Sequence, residues 1–123
     1  MTDAARTAVD EDVDFLISSH KVDGTAVRTR DGDSLGAVSS FKIDRRTGQV
    51  TYAVLRIGGL LGIGQHFYPV PWSSLTYDAE NVAYIVSMDK RLLEGGPSFT
   101  GSSEPVFDRA YAGRVSSYYA SVL

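Results

Sequence analysis

The sequence predicts a mainly β protein: a small barrel of about six short strands followed by a C-terminal α-helix. Three observations carry that expectation. Leu35, Ala37, Ser39, Phe41 and Ile43 alternate with Gly36, Val38, Ser40, Lys42 and Asp44, the period-two pattern of a strand with one mainly apolar face. Clusters of Asp and Gly cut the chain into short segments between residues 26 and 87. Beyond them the spacing changes, and Phe107, Tyr111, Val115, Tyr118 and Val122 recur at helical intervals as one apolar stripe.

Taken in order, residues 1–14 form an acidic lead-in with Asp3, Asp10, Glu11, Asp12 and Asp14; Val9, Val13, Leu16 and Ile17 fall at helical spacing, but a frayed terminus is the simpler reading. The first strand is Ala26-Val27-Arg28-Thr29-Arg30, ended by Asp31-Gly32-Asp33, residues that tolerate the positive φ of tight hairpins. The alternating strand from Leu35 follows, and Asp44-Arg45-Arg46-Thr47-Gly48 makes the next turn. Residues 49–57 place Val50, Tyr52 and Val54 on one face and Ala53, Leu55 and Ile57 on the other, so this strand is central or covered on its outside. After the glycine-rich residues 58–64, His66 to Val70 resume a strand in which Pro69 marks an edge or a bulge. Pro71-Trp72-Ser73-Ser74 reads as a one-turn helix or corner, and residues 75–77 and 82–87 as a last hairpin around Asp78-Ala79-Glu80-Asn81. Closing such a segment into a barrel buries its apolar faces and removes its edges. Asp89 to Glu94 form a short helical turn stopped by Gly95-Gly96-Pro97, and the final helix is expected to be capped by Ser103, with Glu104 and Pro105 in its first turn.

Composition bounds the function. A chain of 123 residues, 43% hydrophobic and 22% charged, fits one domain with a real core. The absence of cysteine excludes disulfides, thiolate catalysis and Cys-ligated zinc, and suits a reducing compartment. A net charge of −3, with three lysines and nine dispersed arginines, disfavours general nucleic-acid binding. A secretory leader needs a basic start and an apolar run, and the first residues show neither. The longest apolar stretch, residues 57–63, is far short of the ~20 residues that span a bilayer. A cytoplasmic protein with no transmembrane segment is expected.

The ordered set Asp31-Gly32-Asp33-Ser34-Leu35-Gly36, Phe41-Lys42-Ile43-Asp44, Thr47-Gly48-Gln49-Val50, Tyr52-Ala53-Val54-Leu55, Gly58 to Gly64 and Val70-Pro71-Trp72-Ser73-Ser74-Leu75 resembles the PRC-barrel family. The resemblance covers residues 18–99 and includes the closing Leu93-Glu94-Gly95-Gly96-Pro97-Ser98-Phe99. It implies a small, mostly antiparallel barrel. Relatives include the cytoplasmic domain of the photosynthetic reaction-centre H subunit and the C-terminal domain of a ribosome maturation factor, which act through contacts rather than catalysis. With neither a membrane helix nor an N-terminal partner domain, the chain looks like the stand-alone bacterial type. The division expected is an acidic lead-in over 1–14, the barrel domain over 15–99, and a linker with an amphipathic helix over 100–123.

Motifs for chemistry are few. The glycines of residues 58–64 lack the Lys-Ser/Thr of a phosphate loop, and strand rather than helix follows them. Leu60, Leu61 and Ile63 in this connection either tuck into the barrel or stay exposed and dock a partner. His20 and His66 are far apart without carboxylates at ligand spacing, so no metal site is expected. Ser73 and Ser74 lie in no nucleophile elbow, and Asp31 with Asp33 lack the rest of a calcium loop. Trp72 reads as a filler of the barrel end. No cofactor and no catalytic residue is expected.

The expected function is a non-catalytic binding and assembly module that contacts an unidentified protein and self-associates, a dimer being favoured. Leu60, Leu61, Ile63, Phe107, Tyr111 and Tyr118 are the candidate interface residues. The alternative, suggested by the maturation-factor relatives, is an RNA- or ribosome-associated assembly factor, which a clustering of Arg28, Arg30, Arg45 and Arg46 on one surface would favour.

Overall fold

The computed structural model describes residues 16–58 and 64–122. A one-turn helix α1 (Ser19–Val22) leads into six strands: β1 (Ala26–Arg28), β2 (Ser34–Ile43), β3 (Val50–Ile57), β4 (His66–Pro71), β5 (Leu75–Asp78) and β6 (Ala83–Val86). A 3-10 turn (Trp72–Ser74) separates β4 from β5, and helices α2 (Lys90–Glu94) and α3 (Arg109–Val122) follow, with a second 3-10 turn (Gly101–Ser103) between them. One mixed sheet runs in the order β4-β3-β2-β1-β6-β5, antiparallel throughout except for the parallel pair β1 and β6.

The turns form where the sequence places them. Between β1 and β2, Gly32 takes φ 92°, the Thr29 N–H donates to the Asp33 carbonyl at 2.9 Å, and the Asp33 N–H donates to Thr29 Oγ1 at 3.1 Å. Between β2 and β3, Asp44 Oδ1 accepts the backbone N–H groups of Arg46 at 2.8 Å and Thr47 at 3.3 Å. Such side-chain acceptors are why Asp opens so many turns. Register shifts between Val38 and Ser40 and between Lys42 and Ile43 add bulges to β2, which bend it across the core. Gly36 permits the close approach of β2 to β3, since a Cβ there would overlap the Arg56 carbonyl.

The fold is the small, mainly β curl that the sequence predicts, but the ring does not close by strand pairing. β4 and β5 are the two ends of the sheet order. Pro69 and Pro71 remove two donors from β4, and the chain turns a corner at Trp72 instead of forming a hairpin. β4 is nevertheless covered on its outer side: Phe67 and Phe99 exchange backbone hydrogen bonds of 2.8 and 3.0 Å. Among the described residues, no strand pairs with the outer edge of β5.

β3 is buried on both faces from Tyr52 through Leu55, being flanked by β2 and β4 and reached from outside by α3. The Tyr52 hydroxyl donates to the Ala112 carbonyl at 3.0 Å and also meets Ser116 Oγ. Tyr111, Val115 and Tyr119 of α3 join the same core as Val27, Leu55, Val70, Val86 and Leu93. The C-terminal helix therefore packs on its own barrel.

Its start differs from the sequence expectation. Ser103 belongs to the 3-10 turn, where it and Thr100 cap each other, and α3 begins at Arg109 behind Asp108, whose Oδ1 accepts the Tyr111 N–H at 2.9 Å. Ser103 is already engaged with Thr100, and the Asp108 carboxylate suits the positive N-terminal end of the helix. The buried stripe is also rotated by one residue: Tyr119 rather than Tyr118 continues Tyr111 and Val115, as strict four-residue spacing requires. Of the residues read as a possible N-terminal helix, Val9 and Val13 lie outside the described residues, while Leu16 and Ile17 are exposed.

Candidate functional site

Leu60, Leu61 and Ile63 lie outside the described residues. The three aromatic candidates sit at the junction of α3 with the barrel. Tyr111 is only 7% exposed and packs edge-on to Phe107 at 4.9 Å. Phe107 is half-buried, with Phe99 edge-on at 6.2 Å and the Lys42 ammonium 4.3 Å from its ring centre. Tyr118, also half-buried, donates its hydroxyl to the Leu92 carbonyl at 2.5 Å. Trp72 packs between Phe41 and Tyr84, at 6.2 and 5.6 Å, as a filler of the core.

Two clefts open on the described surface. The larger, about 850 Å³, lies between the β1–β2 turn, the 3-10 turn after β4 and α2. Its charges cancel: Arg30, Lys90 and Arg91 stand against Asp31, Asp33 and Asp89. Two of its hydroxyls are engaged within the chain, Ser74 Oγ donating to the Pro71 carbonyl at 2.6 Å and Thr29 Oγ1 accepting from the Asp33 N–H.

The second cleft, about 560 Å³, is built by the end of β2 with its turn, the start of β3, and the first turn of α3. Ile43, Tyr52, Phe107 and Ala112 supply its apolar lining, and Lys42, Arg45, Arg46 and Arg109 its cations. Two carboxylates, Asp44 and Asp108, also line it, each with Oδ1 committed to backbone N–H groups. Lys42 lies 3.7 Å from Glu104, and this is the one ion pair among the described residues. Four cations against two carboxylates leave this cleft positive in a chain whose net charge is −3.

Sequence reading grouped Arg28, Arg30, Arg45 and Arg46, and the structure divides that set. Arg28 and Arg30 flank the start of β2, and Arg45 and Arg46 follow its end, ten residues on. At roughly 3.3 Å per residue, up to about 30 Å of strand separates the two pairs, and less in a straight line because its bulges bend β2. Arg45 and Arg46 instead join Lys42, one strand residue away, and Arg109, brought in by α3. No local pattern links Arg109 to the β2–β3 turn, so this partner was hidden from sequence reading.

The shifted acidities follow burial. Tyr68, Tyr84, Tyr111 and Tyr119 all have their hydroxyl pKa raised, in each case first by desolvation. Asp78 is held below the ordinary carboxylate range, chiefly by the side chain of Asn81, which donates to its Oδ2 at 2.7 Å. Among the described residues no group of three His, Asp or Glu side chains gathers closely enough to hold a metal ion. No described helix is long and apolar enough to cross a membrane.

A family model for the PRC-barrel domain matches residues 16–93, from the first described residue to α2. None of the curated proteins compared matches the chain.

Proposed function

Because this chain belongs to the PRC-barrel family, whose domains commonly mediate protein interactions, we propose that it is a non-catalytic binding and assembly module that self-associates and contacts a second protein in the cytoplasm. The observation that carries this reading is the outer edge of the open sheet, which no described strand pairs. On the β5–β6 hairpin, Tyr77 is 49% exposed and Val82 63% exposed. Val82 is also held at φ 49°, a conformation that costs a β-branched residue about 1–2 kcal/mol. An exposed apolar side chain in a strained turn contributes little to the fold and is well placed to contribute to a contact.

Leu60, Leu61 and Ile63, outside the described residues, are the second set proposed for self-association. Light scattering on the purified chain tests both. Leu60→Asp and Tyr77→Asp are each expected to lower the solution mass while the barrel stays folded by circular dichroism. A wild-type mass equal to one chain at high concentration would remove self-association from the reading.

The RNA-associated alternative is not favoured by one surface of Arg28, Arg30, Arg45 and Arg46, since these stand at opposite ends of β2. It retains only the smaller cleft between β2 and α3.

A further inference from the structure

The cleft between the β2–β3 turn and α3 is an open one in which arginines border apolar side chains. We propose that it binds a nucleotide-sized phosphate ester, with the phosphate on the arginines and a flat apolar group against Phe107, Tyr52 and Ile43. The inference is independent of the assembly reading, which concerns other surfaces.

Four features converge on this ligand class. First, Arg45, Arg46 and Arg109 reach the cleft from two different elements, and none has a carboxylate in ion-pair range among the described residues. The planar guanidinium fork matches two phosphate oxygens at once, a geometry that lysine lacks. Second, the two carboxylates of the cleft keep their charge but are held in place by backbone N–H groups, and four lining cations outnumber them. Asp44 Oδ1 holds the N–H groups of Arg46 and Thr47, and Asp108 Oδ1 holds that of Tyr111. The carboxylates thus brace the turn and the helix that carry the arginines.

Third, the lining is apolar where the ester group would lie. Ile43 is 51% exposed, although it ends a strand whose other large apolar side chains are at least partly covered. Tyr52, only 7% exposed and with its hydroxyl held on α3, adds a small apolar area to this lining. Fourth, the volume of about 560 Å³ lies within the range of about 300–1,000 Å³ of small-molecule sites. A bare inorganic anion would leave most of that space empty. A long polyanion would need the basic surface to continue, and Arg28 and Arg30 stand at the opposite end of β2.

Calorimetric titration of the full chain at low salt, without divalent cations, tests the proposal with ADP, pyrophosphate and adenosine as probes. ADP is expected to bind more tightly than pyrophosphate, which lacks the flat group, and adenosine is expected to bind too weakly to detect. Arg45→Ala with Arg46→Ala is expected to weaken ADP binding at least tenfold, and Arg109→Ala several-fold. These side chains are exposed, so an unchanged melting temperature of the variants confirms that the fold is intact. Arg45→Lys with Arg46→Lys keeps the charge and removes the fork, and intermediate weakening is expected. The proposal is overturned by absence of ADP binding, by binding that survives the alanine substitutions, or by adenosine binding as well as ADP. It is equally overturned if a single-stranded RNA oligonucleotide or an acidic peptide displaces ADP at hundredfold lower concentration, since the cleft would then belong to a macromolecular surface.

Discussion

Replacing Tyr119 with phenylalanine is expected to stabilise this protein, and the magnitude follows from its surroundings. The side chain is 1% exposed, and the hydroxyl is buried without a hydrogen-bond partner. A buried unpaired donor costs about 1–3 kcal/mol relative to its hydrated state. Removing the hydroxyl removes that cost and leaves a gap of roughly 10–15 Å³, worth about 0.3 kcal/mol at ~24 cal/mol per Å³. The net gain is about 1–2 kcal/mol. In a domain of this size that raises the melting temperature by about 4–8 °C, at roughly 4 °C per kcal/mol.

Alkaline pH supplies a second readout of the same hydroxyl. Burial first, and then the neighbouring Tyr118, Tyr68 and Tyr111, push the Tyr119 pKa up. Above a pH of about 10 the unfolded chain releases this proton while the folded chain keeps it. The unfolded state then binds fewer protons, so stability falls as pH rises, by up to about 1.4 kcal/mol per pH unit for each such tyrosine. Tyr119→Phe is expected to make that fall shallower. Urea melts at pH 7 and pH 11 measure both effects. A variant at least 1 kcal/mol less stable at pH 7 would show that the hydroxyl is bonded in solution, and would refute the reasoning.

Two further substitutions test the geometry of the sheet. Gly36→Ala is expected to destabilise the fold by about 2–4 kcal/mol, because its Cβ would overlap the Arg56 carbonyl and the neighbouring strand would have to move; a loss below about 0.5 kcal/mol in chemical denaturation would mean the strands are not so close. Val82→Gly relieves a left-handed β-branched residue and is expected to gain about 0.5–1 kcal/mol net of the added unfolded-state entropy. If Val82 also serves a contact, that same variant lowers the solution mass while raising the melting temperature, and a mass that stays constant would confine its role to the turn.

The strands were legible because each rests on local rules. The β2–β3 turn is specified by Asp44, whose carboxylate collects two N–H groups, and by Gly48 at φ 77°. The doubly apolar pattern of β3 announced that something would cover its outer face. The candidate site was less legible. Arg45 and Arg46 were noticed, but they were grouped with Arg28 and Arg30, since a sequence does not reveal that β2 holds the two pairs at opposite ends. Lys42 stood out only as one position of the alternating β2 pattern, and nothing in the sequence singled out Arg109.

By itself the sequence determined the strands, the turns, the family and the existence of a C-terminal helix, because period, capping and turn chemistry act over a few residues at a time. Only the tertiary structure decided that the sheet stays open between β4 and β5, that α3 completes the core of its own barrel, and that Asp108 rather than Ser103 starts it. Those outcomes turn on contacts between residues far apart in the chain, such as the Tyr52 hydroxyl with the Ala112 carbonyl. Their free energy depends on how well two surfaces fit, and no local pattern encodes that fit. The charged cleft is a product of the same packing: it exists because a helix with Arg109 at its start settles beside a turn with Arg45 and Arg46.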